Sequence, residues 1–311
     1  MGCDGCELWD KKTKKCYAGV LHTRFGGVTP GYAPTFKEVT LFPGRMEEAT
    51  RWRDLRGTKR AEKPWLDGLP RLIFVSDMSD ALSKAVTFNY LNDEVIQNVT
   101  SELGQRHQWL WLTKRPARMA KFSNWLARKN QKWPSNLWVG TSVTGQKMTS
   151  RIAPLIETGN ADTIRFLSVE PQHERIDLQA WLPKLQWVIQ GGESGRGASA
   201  FDVSWATSLI KQCRQQRIPY FLKQLGTNVV QDGERLRFND SHAGDWSEWQ
   251  SQLQVREMPD LQGIKGPPQR AIRNTAPKKV MKSGVSEKGR MAALKAWETR
   301  RARQAAAPKK K

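Results

Sequence analysis

Six short apolar runs, rich in Val, Ile, Leu, Phe and Trp, recur along the middle of the chain, and each ends in polar or charged residues. The run at 71–75 ends in Ser76, Asp77 and Asp80, and the one at 108–112 in Thr113, Lys114 and Arg115. Those at 136–141, 163–167, 185–189 and 218–222 lead into Ser142, into Ser168 and Glu170, into Gln190, Glu193 and Ser194, and into Lys223 and Gln224. Apolar runs of this length predict buried strands. The intervals at 91–103, 116–129 and 202–216 repeat apolar residues at helical spacing. In the last, Trp205, Leu209, Ile210 and Cys213 share a stripe, which places Cys213 in a packed helix face. A strand plus helix every thirty residues or so is the βαβ rhythm of a parallel sheet.

Two α/β architectures suit that rhythm, a partial or complete parallel (βα) barrel of the TIM type and a doubly wound sheet. The barrel is favoured, because every run carries polar residues at its carboxyl end, whereas a doubly wound sheet concentrates them at one switch point.

The repeat spans 71–226 and divides the 311-residue chain. Residues 1–70 form a cysteine-rich segment and lead-in, with a short strand expected at 40–44 and a helix at 46–55. Residues 227–262 read as an excursion packed back onto the barrel. Residues 263–311 read as a polybasic linker and disordered tail containing a short basic helix, with Met291, Leu294 and Trp297 at i, i+3 and i+6.

Charge separates the tail from the body. The chain carries 51 Lys and Arg against 30 Asp and Glu, a net +21. Residues 264–311 hold 15 of the bases and only Glu287 and Glu298, so +13 lies in the tail. That distribution points to nucleic acid, whose phosphates release counterions when neutralised. Lys114, Arg115, Arg300, Arg301 and Arg303 are the candidate contacts. No stretch reaches the apolar length of a membrane span and no signal peptide is visible, so neither a membrane protein nor a secreted disulfide scaffold is expected. The expected compartment is the cytoplasm. The oligomeric state cannot be read.

If the strands form one barrel, their polar ends converge on one mouth, suited to a polar, charged ligand. Asp77, Glu170, Glu193 and Lys223 are its candidate catalytic groups. Gly191 and Gly192 are expected to let backbone amides approach a ligand, with Glu193 and Ser142 completing a cofactor site. His107 and His173 have no visible partners and read as surface residues. No Gly-rich phosphate loop, His-Glu-x-x-His or nucleophile elbow occurs.

Three of the four cysteines, Cys3, Cys6 and Cys16, lie within the first sixteen residues, in a polar segment lacking apolar periodicity. A soft metal ion or an iron–sulfur cluster is the natural organiser of thiolates bunched in this way. One coordination position is left for His22, solvent or a small molecule.

The ordered set of Cys16-Tyr17-Ala18, the Ser76-to-Asp80 run, Thr113-Lys114-Arg115-Pro116, Ser168-Val169-Glu170-Pro171, Gly191-Gly192-Glu193-Ser194-Gly195 and Lys223-Gln224-Leu225-Gly226 resembles a family of phage and bacterial proteins, the three-Cys-motif phage proteins. That family is distantly similar to radical S-adenosylmethionine enzymes. The resemblance implies a [4Fe–4S] cluster on Cys3, Cys6 and Cys16 at the mouth of a partial barrel, with S-adenosylmethionine as cosubstrate. In those enzymes a strand precedes the cluster loop, so a first strand is expected upstream of Met1. The function implied is phage-type modification or repair of DNA or another nucleic-acid or nucleotide substrate. Two alternatives remain open: a non-catalytic nucleic-acid-binding protein with structural zinc on the same cysteines, and a metal-independent barrel enzyme using Glu170, Glu193 and Lys223.

Overall fold

The structure is a computed structural model that describes residues 2–6, 8, 9, 16–27, 29 and 32–260. In chain order the helices are α1 (Tyr17–Phe25), α2 (Arg45–Thr50), α3 (Phe88–Leu91), α4 (Gln97–Thr100), α5 (Pro116–Arg128), α6 (Ile152–Ile156) and α7 (Val203–Gln216). A π turn at Asn92–Ile96 joins α3 to α4. The strands are β1 (Arg71–Phe74), β2 (His107–Thr113), β3 (Leu137–Ser142), β4 (Arg165–Val169), β5 (Trp187–Gly191), β6 (Phe201–Asp202), β7 (Tyr220–Gln224), β8 (Val229–Gln231) and β9 (Glu234–Leu236).

All six apolar runs are strands of one parallel sheet, in the order β1-β2-β3-β4-β5-β7. Neighbours in the sheet follow chain order without reversal, as in a barrel and not in a doubly wound sheet. The sheet is open, with β1 and β7 as edges, so the barrel is partial. Beyond the half-barrel, β8 and β9 form a small second sheet with β6, and residues 255–257 run along β7. The proposed 263–311 tail, with Arg300, Arg301 and Arg303, lies outside the described residues.

Alternation along the strands sorts the core into two layers. Trp109, Trp111, Val139, Leu167, Val188 and Leu222 face the helices, meeting Met119, Phe122 and Leu126 of α5 and Leu209, Ile210 and Cys213 of α7. Leu110, Trp138, Phe166, Trp187 and Ile189 fill the inner face, closed by Leu69 and Met258. With apolar residues on both faces, the strands read as unbroken apolar runs. Burying each large side chain contributes roughly 1.5–3 kcal/mol.

The local boundaries have local causes. Asp202 caps α7, accepting from the Ser204 amide at 2.8 Å, and Thr87 caps α3 through Tyr90. The helix expected at 91–103 therefore begins three residues earlier and ends at Thr100. No strand forms at 40–44, where Gly44, at φ 86°, turns the chain directly into α2. The helix expected at 46–55 stops at Thr50. His107 is not a surface residue. It is buried at the start of β2, with Nε2 3.0 Å from the Thr50 carbonyl. His173 is exposed.

Candidate active site at the carboxyl end of the half-barrel

The period of two that built the core also divides the polar strand ends. Ser142, Ser168, Glu170, Gly191 and Lys223 continue the inner face of Trp138, Phe166, Ile189 and Phe221. Thr113, Thr141 and Gln190 continue the helix-facing layer and are buried. Tyr220 donates its hydroxyl to Gln190, which in turn donates to Gln172, so these polar groups satisfy one another inside the core.

On the inner face, Lys223 Nζ lies 2.9 and 3.0 Å from the two carboxylate oxygens of Glu170. The lysine is exposed and the carboxylate mostly buried, so the pair presents both charges to the mouth. Phe74, 46% exposed at the end of β1, supplies an apolar wall on the same face. Sequence reasoning missed Phe74 and named Ser168 only as a strand end, without a role. Only the strand register, which carries the inner-face parity to the last residue of each run, identifies them.

The remaining strand-end candidates have local partners. Asp80 accepts from the Thr113 hydroxyl, the Lys114 amide and the Leu82 amide, and so fastens the β1 loop to the end of β2. Glu193 Oε2 accepts from the Ser199 amide at 2.9 Å and shapes its own exposed loop. Gly191 and Gly192 are buried. The Gly192 amide donates to the Gln224 carbonyl, and a Cβ on Gly192 would lie 2.0 Å from the Leu225 carbonyl oxygen. Gly226, at φ 92°, faces the Glu193 backbone across the same crossing. At Gly192 the close approach is thus between two stretches of the chain itself, whereas Gly191 faces the Glu170 side chain on the inner face. Ser142 is buried, and its carbonyl accepts from Arg151.

The cysteine segment is fastened across the β1 side of this mouth. Gly2 bridges Ser79, Asp4 accepts from Ser83 and pairs with Arg115, and the Tyr17 hydroxyl donates to the Asp77 carbonyl. Arg115, an expected nucleic-acid contact, thus holds this segment, donating also to the Gly5 carbonyl at 3.2 Å. Within the segment, Trp9 donates to the Cys6 carbonyl, and the Cys16 amide returns to the Leu8 carbonyl at 2.7 Å. The Leu8–Trp9 stretch therefore meets the chain again at Cys16. The Trp9 ring seats this stretch on α1 at Gly19 and stacks edge-on against Phe36.

All three thiols are free and partly exposed, whereas Cys213 is free and buried. Burial raises the Cys3 pKa, assisted by Cys6 and Asp4 and opposed by the Gly5 amide and Arg115. Burial pushes Cys213 up to about 12, which makes it an inert core thiol. Tyr17 is 57% exposed over the whole side chain, yet its hydroxyl end is desolvated and lies near Asp77, Cys16 and Glu170, all of which hold it protonated.

The donor chemistry suits a soft metal centre, and metal ligation would displace the thiol protons. Among the described residues, however, no three His, Cys, Asp or Glu side chains stand close enough together to hold an ion as they are. His22 does not extend the set: it is buried, its Nε2 lies 2.7 Å from the Ala33 carbonyl, and its ring packs against Phe36 and Gly26. No helix among the described residues is long and apolar enough to cross a membrane.

No curated protein and no solved structure matches this chain. Residues 2–300, which take in the cysteine segment, the whole half-barrel and the excursion, match the family described as Protein of unknown function (DUF5131), and the chain belongs to that family.

Proposed function

We propose that the carboxyl end of the half-barrel is an active site in which Cys3, Cys6 and Cys16 hold a [4Fe–4S] cluster. The enzyme would use S-adenosylmethionine and act on a nucleic-acid or nucleotide substrate in the cytoplasm. The observation that carries this reading is the fastening of a three-thiol loop across the strand ends, beside the open Glu170–Lys223 pair. A structural metal site has no need of a barrel mouth, but a reacting centre does.

When bound, such a cluster supplies the electron for reductive cleavage of the sulfonium. The chain's own groups bind and orient. Glu170 and Lys223 offer one carboxylate and one ammonium, the complement of an amino acid's zwitterion, and the pair can open to receive it. Phe74 offers an apolar face to a base or ribose. Tyr17, kept protonated, ties the cysteine loop to the Asp77 backbone and shields the thiols from that side. Asp77 contributes its carbonyl to that tie, and Glu193 acts by shaping the loop behind the mouth. The net charge of +21 favours a polyanionic substrate.

The test is metal and labile-sulfide analysis, with an absorption spectrum, on anaerobically purified full-length protein, wild type beside Cys16→Ala. Iron, sulfide and a broad visible band in the wild type, lost in the variant, are expected. Incubation with dithionite and S-adenosylmethionine should then release methionine, and Lys223→Met should slow that release by about a hundredfold or more. Colourless protein with one zinc per chain would replace this reading with the structural-zinc one. Metal-free protein whose activity survives Cys16→Ala would favour acid–base work by Glu170 and Lys223.

A further inference from the structure

We propose that the outer face of α5, together with Phe88, is a binding surface for single-stranded nucleic acid. The proposal shares with the preceding reading only the class of ligand and makes no use of a cluster.

Between Glu102 and Glu157 the chain has no acidic residue, yet it carries ten Lys and Arg. α5 lies at the centre of that window. Its buried face is Pro116, Met119, Ala120, Phe122, Ser123 and Leu126. Helical periodicity therefore turns Arg118, Lys121, Trp125 and Arg128 outward as one stripe at i, i+3, i+7 and i+10, with Lys129 beside its end. Among the described residues, none of these cations has a carboxylate in ion-pairing distance. A cationic stripe that serves only solubility is usually interleaved with acids and has no aromatic ring at its centre.

The aromatic ring here borders a cleft. Thr87, Phe88, Asn89, Arg118 and Trp125 line a space of about 320 Å³. The Phe88 and Trp125 rings stand 6.0 Å apart at 64°, and Arg118 lies 4.8 Å over Phe88, anchored to the Val86 carbonyl at 2.6 Å. Lys129 rests its ammonium 3.9 Å from the Trp125 ring centroid. An incoming base stacks on Trp125 in place of that ammonium, and Lys129 turns to the adjoining phosphate, with Lys121 and Arg128 along the same track. The Trp125 ring is half-buried, stacked on Phe122 on one side, and a ring seated in this way beside point charges is the arrangement that holds unpaired bases with little regard for sequence. A duplex hides its base faces and has no use for the ring. α5 starts immediately after Arg115 at the mouth and is about 20 Å long, room for a few nucleotides leading to the strand ends.

The test is fluorescence anisotropy on the full chain, with a labelled oligonucleotide of about twelve residues as single-stranded DNA, single-stranded RNA and duplex. The variants are Lys121→Gln with Lys129→Gln, Trp125→Ala, Trp125→Phe, and the tail triple Arg300→Gln, Arg301→Gln, Arg303→Gln. The lysine pair should weaken single-strand binding by about tenfold and reduce the salt dependence by between one and two phosphates' worth. Trp125→Ala should cost about tenfold on the single strand and under about twofold on the duplex, and Trp125→Phe should restore most of the loss. Cys16→Ala should bind as wild type, so loss of the cluster and loss of this surface are separately visible. Whichever single strand, DNA or RNA, responds more to Trp125→Ala is the ligand. Wild-type binding by every α5 variant with loss only in the tail triple overturns the proposal, as does a Trp125→Ala loss equal on single strand and duplex.

Discussion

The open sheet has two edges, and the chain finishes them in opposite ways. On β7, residues 255–257 add an antiparallel bridge, and Arg256 locks it. The guanidinium donates to the carbonyls of Leu222, Lys223 and Gly244 and stands 4.4 to 5.5 Å from the rings of Trp65, Phe221, Trp246 and Trp249. Trp187 and Tyr220 add bonds to Glu257. On the β1 side, the cysteine segment meets the loop that follows the strand. It is polar, bears the three free thiols and is held by the Gly2–Ser79 bridge, hydrogen bonds from Tyr17 to Asp77 and from Ser83 to Asp4, and Arg115, which pairs with Asp4 and donates to Gly5. An uncovered edge invites strand pairing from other chains, and the bridge at Phe221–Arg256 removes that invitation on β7. Only the β7 cover is built from desolvated aromatic contacts that stabilise strongly. The segment on the β1 side is held by contacts of about 1 kcal/mol each.

The contrast can be broken first at the stronger edge. Arg256→Ala should destabilise the protein by roughly 3 kcal/mol or more, because it removes three hydrogen bonds and leaves four rings around a void. Urea unfolding measures this, and a loss under about 1 kcal/mol would mean that β7 is sealed by the backbone alone. The weaker edge offers a gentler intervention. Tyr17→Phe should leave global stability nearly unchanged while raising the alkylation rate of Cys16 about fivefold, as expected for one hydrogen bond of about 1 kcal/mol. Peptide mapping after iodoacetamide should show Cys3, Cys6 and Cys16 modified and Cys213 protected until the chain unfolds, since its thiol pKa is about 12. Equal protection of all four would contradict a loosely held cover.

The smallest expected effect concerns a site that belongs to neither cover. Burial lowers the His107 pKa below its ordinary 6.5, helped by Arg106 and Arg71 and opposed by the Thr50 carbonyl. The unfolded chain therefore takes up a proton near pH 6.5 before the folded chain does. The stabilising contribution is complete above that pH and is lost as pH falls through the folded value, by at most about 1.4 kcal/mol per unit. His107→Gln should flatten this part of the stability profile, as seen in urea midpoints measured from pH 7 to 5. An unchanged slope would place the acid sensitivity elsewhere.

The fold was legible because its signal is repeated. Six apolar runs at regular intervals are strands 71–74 through 220–224, since a parallel strand buried on both faces must be apolar throughout and a parallel connection needs an intervening crossover. The candidate site was legible as a set of strand ends but not as individual roles. Glu170 and Glu193 look alike in sequence. One meets Lys223 at the mouth and the other caps Ser199, and that difference depends on a single step of strand parity and on a loop. Gly191-Gly192 read as a ligand cradle, yet Gly192 and Gly226 are small because two backbones cross there, a contact 33 residues apart in sequence that no local pattern announces.

The sequence by itself determined the parallel α/β architecture, the inert place of Cys213 in a helix face and the separation of basic tail from body, all of them consequences of period, composition and charge. Only the tertiary structure decided that the barrel is half closed, that the Cys16 amide meets the Leu8 carbonyl, that His22 and His107 are buried, and that Arg115 and Asp80 fasten loops. These depend on which distant segments meet, and that is settled by burial and hydrogen-bond satisfaction over the whole molecule, not by any stretch of it.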